Sequence, residues 1–330
     1  MKVLPWSLLC VVTAVAALAC GRGARAEEAA DQASAPPADD KQLPLPFITI
    51  EGQGGGAFTP LAYLVNPPRD GEMFGRPSVA FDYVGLGQKN LEALLVTENL
   101  WGRIEFGFAA DRLGLGSLPS DITRTIGVDI DESDVWLYNF SARALLVKEN
   151  ANGTLWLPAV TAGAILKYNA NIASINDRLG GALTAIGYDH DTSVDFTLTA
   201  TKTIPKAILG QLPLIATVGL RESQGADLGF LGFADQYRAS FEGSLATFAS
   251  KRLMIAYEFR QQTSPYGTIG PGGTIDVPNL LIGDENNWHA FSLAYILSEH
   301  ATLVGGMGIF GNLANAEANT AWWLQAKYEF

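Results

Sequence analysis

The last ten residues, Ala321-Trp322-Trp323-Leu324-Gln325-Ala326-Lys327-Tyr328-Glu329-Phe330, most narrowly limit what this chain can fold into. Successive strand residues point to opposite faces. Trp322, Leu324, Ala326, Tyr328 and Phe330 therefore share one face, and Gln325, Lys327 and Glu329 share the other. One face is apolar and aromatic, the other charged. Termini are ordinarily polar and frayed, so a strand that alternates up to an aromatic end suits the closing strand of a membrane barrel. An ordinary buried last strand is the competing reading.

The same period of two recurs along the chain. Val79, Phe81 and Tyr83 oppose Ala80 and Asp82; Ile104, Phe106, Phe108 and Ala110 oppose Arg103, Glu105, Gly107 and Ala109. Comparable alternation runs through Tyr138–Ala144, Val194–Thr201 and Arg252–Arg260. These are strands with one apolar and one polar face. Alternation alone does not separate a barrel from a soluble sandwich, but loop length does.

The alternating segments fall near 78–86, 90–98, 102–111, 134–148, 154–168, 191–203, 212–222, 237–248, 252–263, 287–298, 301–311 and 321–330. Their connections alternate, with long loops at 112–133, 169–190, 223–236, 264–286 and 312–320 and shorter ones at 99–101, 149–153, 204–211, 249–251 and 299–300. Only the 87–89 turn is short where a long loop is due. Membrane barrels have short periplasmic turns and longer external loops, and an even strand count when both ends lie on one side. The predicted fold is all-β: an up-and-down transmembrane β-barrel of about 12 antiparallel strands, within a range of roughly 10–14.

Residues 1–26 read as a signal peptide, with Lys2 as a positive start, an apolar run from Leu8 to Leu18 and Ala24-Arg25-Ala26 as a cleavage site. That apolar run is shorter than the ~20 residues of a spanning helix. A lipoprotein-like site before Cys20 is the alternative. Cleavage before Glu27 removes both cysteines, Cys10 and Cys20, which fits passage through an oxidising periplasm without disulfides. Residues 27–46 form an Ala, Pro and acidic tract expected to be a disordered linker, leaving 47–330 as the barrel. The formal net charge of −12 argues against nucleic-acid binding, which needs clustered Lys and Arg.

Ile48 to Glu51 alternates briefly and runs into Gly52-Gln53-Gly54-Gly55-Gly56. Neither a Lys-Ser/Thr pair nor a helix pattern follows, so the glycines point to a sharp bend or close backbone approach rather than a phosphate loop. Residues 47–77 are an N-terminal seam or plug segment: either an extra strand at the barrel seam or a segment tucked into the lumen, with Glu51 as the plug candidate. The lumen is favoured, because a thirteenth strand would put the N-terminus on the wrong side.

Ile50-Glu51-Gly52-x-Gly54-Gly55-Gly56, Leu231-Gly232-Phe233, Gly311-Asn312-Leu313-Ala314-Asn315 and the Trp322 to Phe330 strand resemble a family of bacterial secreted proteins known only as a domain of unknown function. The resemblance runs from about residue 47 to the end, and it departs at Pro67-Pro68 and in the 264–286 loop. It implies an outer-membrane barrel and carries no known activity.

Three histidines offer little chemistry. Asp189-His190-Asp191 is a metal trio on paper, but neighbouring side chains diverge and no second His or Cys stands at ligand spacing. His289 and Ser292 could suggest a barrel hydrolase, yet residues three apart in a strand face opposite ways. No G-x-S-x-G is present. Neither a catalytic residue, a metal nor a cofactor is expected.

The polar face remains. Arg103, Glu105, Arg143, Asp195, Arg238, Glu242, Glu258 and Arg260 are the pore-lining candidates, with Arg252, Lys327 and Glu329 on the same face. Such charges either pair to fill a narrow barrel or line a pore of mixed sign. The expected function is a channel or transporter for a small solute in the bacterial outer membrane. A structural or adhesive barrel with a plugged lumen is the alternative, and an outer-membrane hydrolase comes after it. Expected partners are outer-membrane lipid and the barrel-assembly machinery, the latter through Tyr328 and Phe330.

Overall fold

The structure, a computed structural model, describes residues 45, 47–69, 71–208, 210–318 and 320–330, without the side chains of residues 317 and 318. The expected signal peptide and all of the linker except Leu45 lie outside the described residues.

Twelve strands form the wall: β1 Ser78–Leu86, β2 Lys89–Leu100, β3 Ile104–Gly114, β4 Asp134–Val147, β5 Ala159–Asn169, β6 Thr192–Ile208, β7 Leu212–Gly225, β8 Phe233–Phe248, β9 Leu253–Arg260, β10 Trp288–Ile296, β11 Ala301–Ile309 and β12 Ala321–Glu329. Each pairs antiparallel with the next in chain order. The ring closes where β12 meets β1, from Trp322 opposite Gly85 to Glu329 opposite Ser78. Closure leaves no barrel edge without a partner, which is the condition for a sheet to sit in hydrocarbon.

The two faces separate by strand parity. Phe81, Leu94, Phe106, Phe140, Val218, Leu245, Phe291, Leu293, Leu303 and Leu324 point outward and are exposed. Tyr83 and Trp322 pack at 5.4 Å, and Trp136, Tyr138 and Tyr168 stack in a row, at the long-loop end. Trp101, Trp156, Tyr295, Tyr328 and Phe330 stand exposed at the short-turn end. An apolar belt between two aromatic girdles is the outer surface of a membrane barrel.

Several boundaries differ from the sequence expectation. β8 begins at Phe233, so the expected 223–236 loop contracts to a hairpin at 226–232. β5 begins only at Ala159, since Ala151–Gly153 form a 3-10 turn entered through a left-handed Asn150. The long loops are not irregular: α1 Leu118–Ile126, α2 Ile172–Arg178 and α3 Ala182–Ile186 cover the long-loop end. In α1, Leu118 and Ile122 bury one face, a proline starts the helix, and Gly127 ends it at φ 74°. Among the described residues no helix is long and apolar enough to cross a membrane.

Residues 47–66 run inside the barrel rather than along its seam. Phe47–Ile48 pairs with Gly54–Gly55 as a small hairpin. The wall makes room for it: at Gly107 a Cβ would overlap the carbonyl of Gly52, and at Gly52 (φ 76°) a Cβ would lie 2.9 Å from the Phe108 backbone. The glycine run is thus a close-approach motif, as its spacing implied.

The lipid-facing assignment predicts that Phe291→Arg, in the middle of β10, lowers the free energy of folding into vesicles by about 2–4 kcal/mol. Lys at exposed Trp156, in a turn, should cost about 1 kcal/mol or less. A denaturant titration of folding in liposomes measures both.

Candidate functional site

The lumen is built in three storeys. At the short-turn end, Glu105 (β3) and Arg143 (β4) pair at 2.7 Å, both buried. Together they hold the backbone of the N-terminal segment. Gly54 and Val65 donate their N–H groups to Glu105 at 2.9 and 2.6 Å. Arg143 donates to the Leu61 carbonyl, and at 3.0 Å to that of Tyr63. Nearby, Lys327 pairs with Glu329 at 2.5 Å and donates to the Leu45 carbonyl.

The middle storey centres on Glu51. Its carboxylate meets Lys167 (β5) at 2.6 Å, Arg221 (β7) at 2.8 Å and Arg260 (β9) at 3.1 Å. Asp195 lies 2.9 Å from Lys167 and 3.1 Å from Arg221, and Glu242 lies 3.3 Å from Arg221. Three buried cations thus face three buried carboxylates, the neutral balance that a low-dielectric interior requires. Glu258 has no cationic partner among the described residues and instead accepts from the N–H groups of Ala57, Phe58 and Thr59 at 2.7, 3.1 and 2.9 Å, and from the Thr59 hydroxyl at 2.7 Å.

The upper storey is apolar. The 226–232 hairpin folds inward over the segment, held by side chains of β5. Lys167 donates to the Leu228 carbonyl at 3.0 Å, and Asn169 to those of Gly229 and Phe230 at 2.8 and 2.9 Å. Between hairpin and plug lies a chamber of about 40 Å³, lined chiefly by Phe58, Trp288, Phe310, Trp323, Leu228 and Phe230. A second apolar cavity of about 70 Å³ sits among the helices of the long loops, and Phe230 borders both.

The structure brings Glu105, Arg143, Asp195, Glu242, Glu258 and Arg260 into the lumen with Glu51. Three expected inward charges are not there. Arg103 lies in the exposed 101–103 turn, because β2 runs two residues further than its alternation suggested and takes up the space. Arg252 lies in the exposed β8–β9 turn. Arg238 has the inward parity of Glu242 but stands exposed toward the long-loop end of β8. Lys167 and Arg221, two of the three cations on Glu51, escaped the sequence reading. Both follow from carrying the inward parity of Gly163 and Ile165, or of Thr217 and Gly219, to the strand ends.

The histidines are peripheral. Tyr188–His190 is a short strand, not a loop, and its pairing with Phe233–Ala234 draws Asp189 and His190 toward Asp235 rather than Asp191. All three are exposed. His289 faces outward to the Tyr257 hydroxyl at 2.8 Å, while Ser292 faces the lumen, so the two make no catalytic pair.

These features define a class: a transmembrane β-barrel of the outer-membrane type whose lumen is occupied by its own N-terminal segment. The chain belongs to the family described as "Protein of unknown function (DUF3034)", which matches residues 46–327. Among solved structures it is similar to the KdgM porin, at 10% identity over 77% of this chain and 99% of that one, TM-score 0.45. It is also similar to the NanC porin, at 8% identity over 77% and 98%, TM-score 0.42. A third is the Acinetobacter baumannii outer membrane protein Omp33, at 10% identity over 78% and 99%, TM-score 0.40. No curated protein matches.

Two outcomes follow from the lumen chemistry. Glu51→Gln strips Arg260 of its carboxylate partner, and breaking such a buried pair costs about 3–5 kcal/mol. Urea unfolding of the detergent-folded barrel measures the loss. In the hairpin, burial pushes the Asp227 carboxyl up to about 7, against the Ala314 N–H and Lys89, which favour its charge. Burial and the charge of Asp227 also push Glu285 up, while Arg260 and Arg238 oppose this. A raised carboxyl binds its proton more tightly in the closed hairpin than in the exposed one. Closure is therefore strongest below the ordinary Asp value of 3.8 and weakens as pH rises to about 7. Hydrogen exchange of the 226–232 amides, corrected for intrinsic rate, should lose protection across that window, and less steeply in Asp227→Asn.

Proposed function

We propose that this protein is an outer-membrane channel or transporter for a small solute, closed in this structure by its N-terminal segment, and without catalytic chemistry. The observation that carries the reading is the wall around the plug. Ala80, Ala93 and Ala109 pack with Ile48, and Gly107 lies against Gly52, so small wall residues there leave space that residues 47–66 occupy.

Charge pairing supports the same reading. With Glu51 withdrawn, Arg221 keeps Asp195 and Glu242, and Lys167 keeps Asp195. Glu105 and Arg143 keep each other. The wall would remain a mixed-charge lining compatible with water, of the kind that selects by charge and size. Glu258 and Arg260, whose hydrogen-bond and ion-pair partners among the described residues lie in the segment, are the groups that withdrawal exposes to water.

The alternative is a structural or adhesive barrel that stays plugged. Planar-bilayer recording separates the two. The full chain should be mostly silent with rare openings. A chain lacking 47–66, shown to be folded by its heat-shifted electrophoretic mobility, should give discrete conductance steps. A folded barrel that stays silent without the segment supports the structural reading.

A further inference from the structure

The apolar chamber between the plug and the 226–232 hairpin has a polar detail that packing does not explain. Asp82 (β1) lines it, 2 % exposed; its Oδ2 accepts from Gln325 at 3.1 Å, and its Oδ1 has no hydrogen-bond partner among the described residues. Trp323 (β12) also lines it, 4 % exposed, and its indole Nε1–H has no acceptor among the described residues. Gln325 stands opposite Asp82 and Trp323 opposite Val84, so Asp82 and Trp323 are diagonal neighbours across the β1–β12 pair, both facing inward. Diagonal cross-strand neighbours lie within ~7–8 Å, within reach of long side chains.

Buried polar atoms are almost always paired, and leaving one unpaired costs the desolvation it has suffered. Here an unpaired acceptor and an unpaired donor line one chamber, whose lining is apolar apart from Asp82 and Asp227. Around them, Phe58, Trp288, Phe310 and Trp323 form an edge-to-face cluster, with centroid separations of 4.9–6.1 Å. Gly306 gives the Trp323 ring its place, since a Cβ there would overlap the indole.

We infer that this chamber is a binding site for a small aromatic alcohol of the phenol class. Its hydroxyl proton goes to Asp82 Oδ1, its hydroxyl oxygen accepts from Trp323 Nε1–H, and its ring lies among the four aromatic side chains. A hydroxyl both donates and accepts from one atom, which is what an unpaired acceptor and an unpaired donor lining one chamber call for. A pure hydrocarbon satisfies the aromatic wall but neither polar atom. An anion is disfavoured, because two carboxyl groups, Asp82 and Asp227, already line the chamber.

At about 40 Å³ the chamber is smaller than the 150 Å³ or so that accommodates a benzene ring. A ligand therefore needs the roof to yield, and the roof is built to do so. Asp227 and Leu228 both hold positive φ, 45° and 64°, a conformation that strains non-glycine residues. The proposed transport function explains how such a ligand would arrive, but binding does not depend on conductance, so the two readings fail separately.

The test is ¹⁹F NMR of 4-fluorophenol and 4-fluorotoluene titrated into the detergent-folded full chain, against detergent alone. A saturable shift of 4-fluorophenol, at least tenfold tighter than that of 4-fluorotoluene, is expected. Trp323→Phe, which keeps the ring and removes the N–H, should cut that preference roughly tenfold, as should Asp82→Ala. Asn169→Ala releases two roof carbonyls without touching the chamber wall, and should speed exchange while keeping the preference. Equal affinity for the two ligands overturns the inference. So does the absence of saturable binding in both the wild-type chain and Asn169→Ala, or a preference that survives both chamber substitutions.

Discussion

The ammonium of Lys167 holds the closed lumen together. It is fully buried and donates to Glu51 of the plug and to the Leu228 carbonyl of the inward hairpin, with Asp195 of the wall 2.9 Å away. An ammonium removed from water is tolerated only when its donors are satisfied and its charge is balanced. Lys167 meets that condition with one partner from each of three separate parts of the fold. Arg221 differs in kind: it also meets Glu51, but it has two carboxylates on the wall itself. Plug and hairpin are thus not two independent stoppers. They share a cation.

The plug is held by its backbone more than by its side chains. Beyond the short Gly54–Gly55 pairing, residues 54–65 carry N–H and C=O groups that must find partners inside the barrel. Glu258 takes three consecutive N–H groups, Glu105 two more, Arg143 two carbonyls, and Gln325 both the N–H and the carbonyl of Ile48. Wall side chains thus replace a missing strand ladder. This explains why the segment is glycine-rich: at Gly56 a Cβ would overlap the Glu258 carboxylate, and at Gly52 it would press on β3. Side-chain bulk there would hold off the groups that satisfy the backbone.

Strand number, direction and facing were legible because lipid imposes them residue by residue. Outward positions such as Phe106, Phe140 and Phe291 meet hydrocarbon and must be apolar, which makes period two visible in a single chain. Turn lengths added the sidedness. Charge positions were legible only as far as the strand ends were: Arg103 and Arg252 share parity with inward residues yet sit in turns, where parity no longer has meaning. The helices were hidden for another reason. α1 is nine residues, too short for a periodic signal, and its apolar side exists because the neighbouring loops cover it. The meeting of Glu51 with Lys167, 116 residues apart, has no local signature at all. It follows from barrel closure and not from any motif.

The two halves of the lumen are lined by different chemistry. Toward the short-turn end the wall charges largely pair among themselves, so water could replace the plug at modest cost. Toward the long loops the lining is aromatic and aliphatic, and a water column there would forfeit the apolar contacts among Phe58, Trp288 and Phe310. Any solute that crosses meets both environments in succession. Because Lys167 serves the hairpin and the plug at once, loosening one changes the free energy of the other by the same amount in either direction. A ligand that prefers a displaced hairpin would thereby weaken the hold on Glu51, the polar seal beneath it. Coupling of this kind needs no long pathway, only the shared cation between the two closures.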